Sequence, residues 1–222
     1  MSKVDDVVVE IRNMILNHKY DEYGYLPSEG VLSETLEASR ATVREAVRTL
    51  EVRGFLERQH GKGLCVIDNG INVLVQAMND IYDKESIGID DIIETRHVIE
   101  IQAVRLATER ATEEDLEKLR GFVETMENAK VVDEKYLEAD FWFHQNVVYI
   151  AKNAMLSAIV TSYAKWLRKT IEATTNGDIN LENTHHYHRN VYEAMKARDP
   201  ALAQKHMSNH LYATSENKKV LS

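Results

Sequence analysis

The sequence predicts a mainly α-helical protein with an N-terminal winged helix-turn-helix and a C-terminal all-α bundle of six or seven helices. Three observations support this fold class. A stretch near residue 40 combines an apolar and a basic helical face, and two short strand-like runs follow it. Beyond residue 72 the apolar residues recur at helical spacing almost throughout. The two prolines, Pro27 and Pro200, both stand at predicted helix starts.

Length and composition are those of a soluble globular protein of one or two domains, with 222 residues, 44% hydrophobic and 28% charged. No apolar run approaches the roughly 18 residues that cross a bilayer. The N-terminus lacks the basic and apolar regions of a secretory signal. A single cysteine, Cys65, excludes an intramolecular disulfide and fits a reducing compartment. We therefore expect a cytoplasmic protein with no membrane partner.

The N-terminal elements follow from helix caps. A first helix is predicted over residues 5–17. Ser28 is an N-cap for a short second helix, and Ser39 is an N-cap for a third that ends before Gly54. Glu37 and Ala38 alone separate the second and third helices, so the pair reads as a helix-turn-helix.

The third helix has two faces. Four apolar residues at i, i+3, i+4 and i+7 form a stripe that must pack on other elements. Three arginines at i, i+4 and i+8 form a cationic stripe, which indicates either an anionic partner or a solvated face. These residues are Val43, Ala46, Val47 and Leu50 on the apolar stripe, and Arg40, Arg44 and Arg48 on the cationic stripe.

Two strand-like runs, 55–58 and 64–67, flank a glycine-bearing turn that contains Lys62. The net charge of the chain is −9, yet the stretch from Arg40 to Lys62 carries six Arg and Lys against three Glu. A recognition helix followed by a two-stranded wing, with a local positive charge, is typical of a double-stranded DNA-binding unit.

The motifs LPSE (26–29) and SRATVREAVRTLEVRGFLERQHGKG (39–63) resemble the winged-helix domain of the GntR family of bacterial transcription regulators. The resemblance covers about residues 7–67. Two positions depart from the family pattern: Gly30 stands where arginine is frequent, and Glu37 stands where the turn usually has glycine. The resemblance implies DNA contacts from the helix start and the wing tip, at Arg40, Thr42, Arg44, His60, Gly61 and Lys62, with Arg48 one turn further.

Gly70 and its polar neighbours make 68–72 the predicted linker between a DNA-binding domain, 1–67, and an all-helical domain, 73–222. The sequence does not decide whether 72–84 belongs to the bundle. The predicted helices of this part are 72–84, 89–110, 113–129, 133–151, 154–175, 180–197 and 200–218.

Seven of the nine histidines follow residue 90. Asp140 and His144 stand at i, i+4 among aromatic residues, so both face an apolar interior and need partners. His188 and His210 lie on two later helices. An Asp/His/His/His set suits a divalent metal, with Zn²⁺ favoured and Ni²⁺, Fe²⁺ or Mn²⁺ as alternatives. A hydrogen-bonded Asp–His pair without metal is the other interpretation.

The segments around these residues are similar to the FCD ligand-binding domain of the FadR branch of the GntR family. The resemblance implies a metal site at the floor of an effector pocket, formed by Asp140, His144, His188 and His210. Arg96 matches an arginine that faces this pocket, so the resemblance implies that Arg96 binds an effector carboxylate. The alternative for Arg96 is a surface ion pair with Glu100.

The sequence thus predicts a DNA-binding transcription regulator, with repressor favoured over activator, and not an enzyme. We expect a homodimer on a near-palindromic operator, controlled by a small organic acid bound near the metal. Two alternatives stay open: a metalloenzyme-like helical bundle, and a regulator with a purely structural metal.

Overall fold

The computed structural model describes residues 2–67, 70–85, 87–175 and 181–221, apart from the side chains of 181–185 and 216–221. The chain divides into two compact units, Met1–Met78 and Asn79–Ser222. Helices dominate both units, and a small antiparallel sheet lies in the first, as the predicted fold class requires. Within these described ranges, no helix combines the length and the apolar character needed to span a bilayer.

The first unit is a helix-turn-helix with a wing. Its strands form an antiparallel sheet in the order β1-β3-β2. β1 pairs Tyr25 with Cys65 and Leu26 with Leu64. The sequence analysis did not predict this two-residue strand, because it is too short to show an alternation of apolar and polar residues. The elements are α1 (Lys3–Leu16), β1 (Tyr25–Leu26), α2 (Glu29–Thr35), α3 (Arg40–Val52), β2 (Leu56–Gln59) and β3 (Gly63–Val66).

The caps of α2 and α3 are those that the sequence predicts. The Ser28 hydroxyl accepts a hydrogen bond from the Val31 amide at 3.4 Å, and the Ser39 hydroxyl accepts one from the Thr42 amide at 3.1 Å. Gly54 follows α3 with φ +73°, a conformation that glycine adopts without strain. These two ends fix the register of α3 and therefore the direction of its two faces.

The apolar face of α3 is the centre of the first core. Its four stripe residues have no solvent exposure and pack with residues of α1, α2 and the sheet. The opposite face is exposed. The burial of one stripe therefore holds the arginine stripe outward.

The turn between α2 and α3 keeps a left-handed residue although no glycine is present. Glu37 has φ +46° and an exposed side chain. A non-glycine residue in this region costs about 1–2 kcal/mol. Glutamate in place of glycine at residue 37 therefore lowers the stability of the turn, but the turn keeps its left-handed conformation.

The second unit is a helical bundle. Its helices agree with the predicted segments within a few residues, except that the segment predicted as one helix over 154–175 is two helices separated at Tyr163. The break contains neither proline nor glycine. The Ser162 hydroxyl donates a hydrogen bond to the Ile159 carbonyl at 2.6 Å and so competes with the backbone hydrogen bonds of the helix. The described helices of this part are α4 (Gly70–Glu85), α5 (Ile89–Arg110), α6 (Glu113–Glu127), α7 (Glu134–Ile150), α8 (Ala154–Ser162), α9 (Ala164–Thr175), α10 (Leu181–Lys196) and α11 (Pro200–Leu221).

Helix α4 begins inside the segment predicted as a linker, and the division between the two units falls within it. Residues 68 and 69 of that segment lie outside the described residues. Near the end of α4, Tyr82 stacks on Trp166 of α9 with ring centroids 3.2 Å apart. We retain the domain boundary at 68–72 as a proposal.

Candidate metal centre and nucleic-acid interface

The residues predicted to contact DNA lie at the surface of the first unit. Arg40, Arg44 and Arg48 are exposed on α3, and Thr42 is half-buried beside the Ser39 hydroxyl at 2.8 Å. The wing residues, His60, Gly61 and Lys62, are exposed in the turn between β2 and β3. Both sets have the accessibility that phosphate or base contacts require.

Glu29 joins the helices to the wing, a contact that the sequence analysis missed. Its carboxylate accepts a hydrogen bond from Arg58 of β2 at 2.8 Å and lies 3.5 Å from Nε of Arg44 on α3. Burial alone would raise the pKa of Glu29, but the hydrogen bond and charge of Arg58, with the charge of Arg44, lower it. The ionised carboxylate thus holds the guanidinium of Arg44 while the side chain stays 58% exposed.

In the second unit, three helices bring the predicted metal ligands together. Asp140 and His144 project from α7, His188 from α10 and His210 from α11, and none is more than 5% exposed. One donor atom from each of the four lies within 4.8 Å of the others. Sequence reasoning therefore named four residues that the fold places in one buried cluster.

Four of the six distances between the donor atoms match the spacing of ligands around one ion. Nε2 of His144 lies 3.2 Å from Asp140 Oδ1, 3.4 Å from His188 Nε2 and 3.1 Å from His210 Nε2. Asp140 Oδ1 lies 3.3 Å from His188 Nε2. Ligands bonded at about 2.1 Å to a metal are about 3.0 Å apart at right angles and about 3.4 Å apart at tetrahedral angles. The cluster fits a first-row divalent metal.

The hydrogen bonding of the cluster is incomplete. Asp140 Oδ1 is buried, and its contacts with Nε2 of His144 and His188, at 3.2 and 3.3 Å, do not have hydrogen-bond geometry. A buried carboxylate oxygen without a partner is costly, and three imidazole nitrogens that converge on one point cannot all satisfy one another. A cation at that point would satisfy all four groups at once.

Behind His144 lies a buried ion pair of α5. Arg96 Nε donates to Glu100 Oε1 at 2.8 Å, and Glu100 Oε2 lies 2.6 Å from Nδ1 of His144. The side chains of Arg96 and Glu100 are 2% and 0% exposed. The interpretation of Arg96–Glu100 as a surface pair is therefore wrong, because both groups are in the core. Nη2 of Arg96 is buried and has no hydrogen-bond partner in the described part of the chain.

The charges of this pair are coupled to His144. Burial would raise the pKa of Glu100, but the charges of Arg96 and His144 lower it to about 2. Burial would lower the pKa of His144, but the charge of Glu100 raises it. Glu100 is therefore a carboxylate at neutral pH.

The pKa values of two further ligands, Asp140 and His210, are both lowered. Burial would raise the pKa of Asp140, but the charge of His188 and the contacts with His144 and His188 hold it well below its usual range. Burial and the neighbouring charges of His188 and His144 depress the pKa of His210 well below its ordinary value. Asp140 is thus ionised and His210 is neutral, as metal ligands must be.

The neighbouring histidines lie outside the cluster or outside the description. His186 is exposed, His206 is half-buried, and the side chain of His185 is not described.

Tyr163 was missed by the sequence analysis. Its hydroxyl is buried at the α8–α9 break without a hydrogen-bond partner among the described residues. Burial, and then the charge of Glu100, raise the pKa of Tyr163.

Two family descriptions match the chain: "Bacterial regulatory proteins, gntR family" over residues 3–66, and "FCD domain" over residues 91–213. The HTH-type transcriptional regulator LutR of Bacillus subtilis is 26% identical, with 89% of this chain and 93% of LutR covered. The galactonate operon transcriptional repressor of Escherichia coli is also 26% identical, with 92% and 91% covered. A solved structure titled Streptococcus agalactiae GntR has a TM-score of 0.78 at 25% identity, with 96% and 99% covered.

The matched segments hold the two sites described above, the exposed arginines in the first and the Asp/His cluster in the second. The chain therefore belongs to the GntR family of bacterial regulatory proteins, in the branch with a C-terminal FCD domain, and is a transcription regulator and not an enzyme.

Proposed function

We propose that this regulator is a repressor whose affinity for its operator is controlled by a small carboxylate bound beside a divalent metal. The observation that carries the proposal is the buried cluster of Asp140, His144, His188 and His210, with donor atoms within 4.8 Å. Zn²⁺ is favoured by three imidazoles and one carboxylate, and Ni²⁺, Fe²⁺ and Mn²⁺ accept the same donors. A bound ion would supply positive charge and a coordination position for an oxygen ligand.

Charge balance favours an anionic effector. With neutral imidazoles, Arg96 compensates Glu100, and Asp140 compensates half of the charge of a divalent ion. One positive charge then remains in a buried site, where an uncompensated charge is costly. A monocarboxylate would neutralise it.

Two buried polar groups of the second unit could bind the rest of the effector. Arg96 Nη2 and the Tyr163 hydroxyl are both buried and lack hydrogen-bond partners in the described structure. A guanidinium N–H donates to a carboxylate, and a phenol can donate to or accept from a hydroxyl. We propose Arg96 and Tyr163 as effector contacts. The galactonate operon repressor, a relative named after a sugar acid, supports hydroxy acids as the class to test first.

The DNA-binding part of the proposal rests on the first unit. Arg40, Arg44 and Arg48 would enter the major groove with Thr42 at the helix start, where an arginine that binds guanine with two hydrogen bonds contributes about 1–3 kcal/mol of discrimination. The wing tip, at His60, Gly61 and Lys62, would contact phosphate or the minor groove. A homodimer would place two such units on a near-palindromic operator in the cytoplasm.

The deciding experiment combines metal analysis with DNA binding. The purified protein should contain about one divalent ion per chain, and a His144→Ala, His210→Ala variant should contain none. Hydroxy acids are then screened for release of the protein from DNA selected by the wild type. Release that requires metal supports the proposal. Stoichiometric metal with no acid effect across the screen would instead support a structural metal, since four protein donors can complete a tetrahedral site.

A further inference from the structure

We propose that Glu100 is the positioning residue of the metal site, and that Arg96 acts on the metal through Glu100. The inference rests on the metal site proposed above and assigns a second role to Arg96. It starts from the contact between Glu100 Oε2 and Nδ1 of His144, at 2.6 Å in a site closed to solvent.

The contact selects one form of the His144 ring. Arg96 Nε donates a hydrogen bond to Oε1 of Glu100 at 2.8 Å in an equally buried position, and a carboxylate paired with a guanidinium accepts hydrogen bonds through both oxygens. Nδ1 of His144 must then carry the proton. In the neutral ring, Nε2 has the lone pair, and Nε2 is the atom that faces Asp140, His188 and His210.

The other tautomer of His144 would direct an N–H at the metal position and could not bind an ion. The carboxylate also fixes the rotation of the ring, because Nδ1 is held by α5 while Nε2 faces the ligands from α7, α10 and α11. His188 differs, since its Nδ1 is buried without a hydrogen-bond partner among the described residues. Glu100 therefore supports one ligand in particular.

Loss of a residue that hydrogen-bonds a metal ligand without touching the metal typically weakens metal binding 10–100-fold. We expect this loss when Glu100 is removed, without any effector present. If Arg96 contacted only the effector, its substitution would leave the Zn²⁺ affinity unchanged. We expect instead that substitution of Arg96 weakens the binding of Zn²⁺ itself. Zn²⁺ is thus a sufficient probe, and the identity of the effector is not needed.

The test uses paired substitutions, because Glu100→Leu alone would leave the Arg96 charge buried and unpaired. Arg96→Met, Glu100→Leu removes both charges and the hydrogen-bond acceptor. Arg96→Met, Glu100→Gln removes both charges but retains an amide oxygen for Nδ1 of His144. The matched control is Arg105→Met, Glu109→Gln, an exposed i, i+4 pair on the same helix.

The measurements are the Zn²⁺ affinity of the full chain by competition with a chromophoric chelator, and the visible absorption spectrum with Co²⁺. We expect 10–100-fold weaker Zn²⁺ binding and an altered Co²⁺ spectrum for the Met/Leu variant. The Met/Gln variant should recover part of the affinity, and the control should match the wild type. Thermal unfolding of the metal-free proteins shows that each variant folds.

Zn²⁺ affinities within twofold of the wild type for both core variants, with an unchanged Co²⁺ spectrum, would overturn the inference and leave the proposed function intact. Equal losses in the Met/Leu and Met/Gln variants would overturn the positioning role, since the retained acceptor would then have no effect. A wild type that takes up neither Zn²⁺ nor Co²⁺ would overturn this inference and the metal-dependent function together.

Discussion

Replacement of His210 by alanine should remove most of the stability that the protein gains from metal. His210 is 4% exposed on α11, and its Nε2 lies 3.1 Å from Nε2 of His144. A ligand that binds the native state alone stabilises it by about 2.7 kcal/mol at a free concentration 100 times its dissociation constant. If the dissociation constant rises about 1,000-fold when one of four ligands is lost, the same metal concentration stabilises the variant by less than about 0.1 kcal/mol.

The assay is thermal unfolding of the chelator-treated protein with and without Zn²⁺. For a domain of this size, about 2.7 kcal/mol corresponds to a rise in Tm of roughly 5–11 °C. The metal-induced shift is compared within each variant, so the cavity left by the shorter side chain affects both of its measurements equally. His206→Ala, a half-buried histidine one turn earlier on α11 and outside the cluster, is the control.

We expect the full metal-induced shift in the wild type and in His206→Ala, and almost none in His210→Ala. A shift in His210→Ala as large as in the wild type would refute the assignment of His210 as a ligand. Equal loss in both variants would show that the assay reports the packing of α11 and not the metal.

Three further predictions concern the first unit. Glu37→Gly should stabilise this unit by about 1 kcal/mol in urea unfolding, because φ +46° costs glutamate about 1–2 kcal/mol and the greater freedom of glycine in the unfolded chain offsets part of this; unchanged or lower stability would contradict the strain argument. Arg44→Ala should weaken binding to DNA selected by the wild type about 10–100-fold with unchanged metal content, whereas unchanged binding would exclude Arg44 as a base contact. The folded pKa of Glu29 is lowered from 4.5, so its ion pairs stabilise the protein at pH 7 and this contribution is lost as the pH falls through that region. The difference in unfolding free energy between the wild type and Glu29→Gln should therefore shrink from pH 7 to pH 4, and a difference that grows would show the opposite shift.

Local signals were sufficient for most of the helices. The caps at Ser28 and Ser39 and the glycine after α3 each act within four residues, so the sequence alone reveals them. The break at Tyr163 is local too, but it depends on how a serine hydroxyl is oriented within a sequence that is otherwise favourable for a helix. β1 has two residues, and its pairing with β3 bridges about 40 positions of the chain, so no local pattern reports it.

Two ion pairs of α5 show why the candidate site was only partly predictable. Arg96–Glu100 and Arg105–Glu109 have the same residue types, the same spacing and N–O distances of 2.8 and 2.9 Å. An exposed pair such as Arg105–Glu109 contributes a few tenths of a kcal/mol. The Arg96–Glu100 pair is buried because α7, α9 and α11 pack on α5, and that packing brings Glu100 to His144 across 44 positions of the sequence. The spacing gives the pair, but the tertiary contacts decide whether it is a solvated surface pair or part of a metal site.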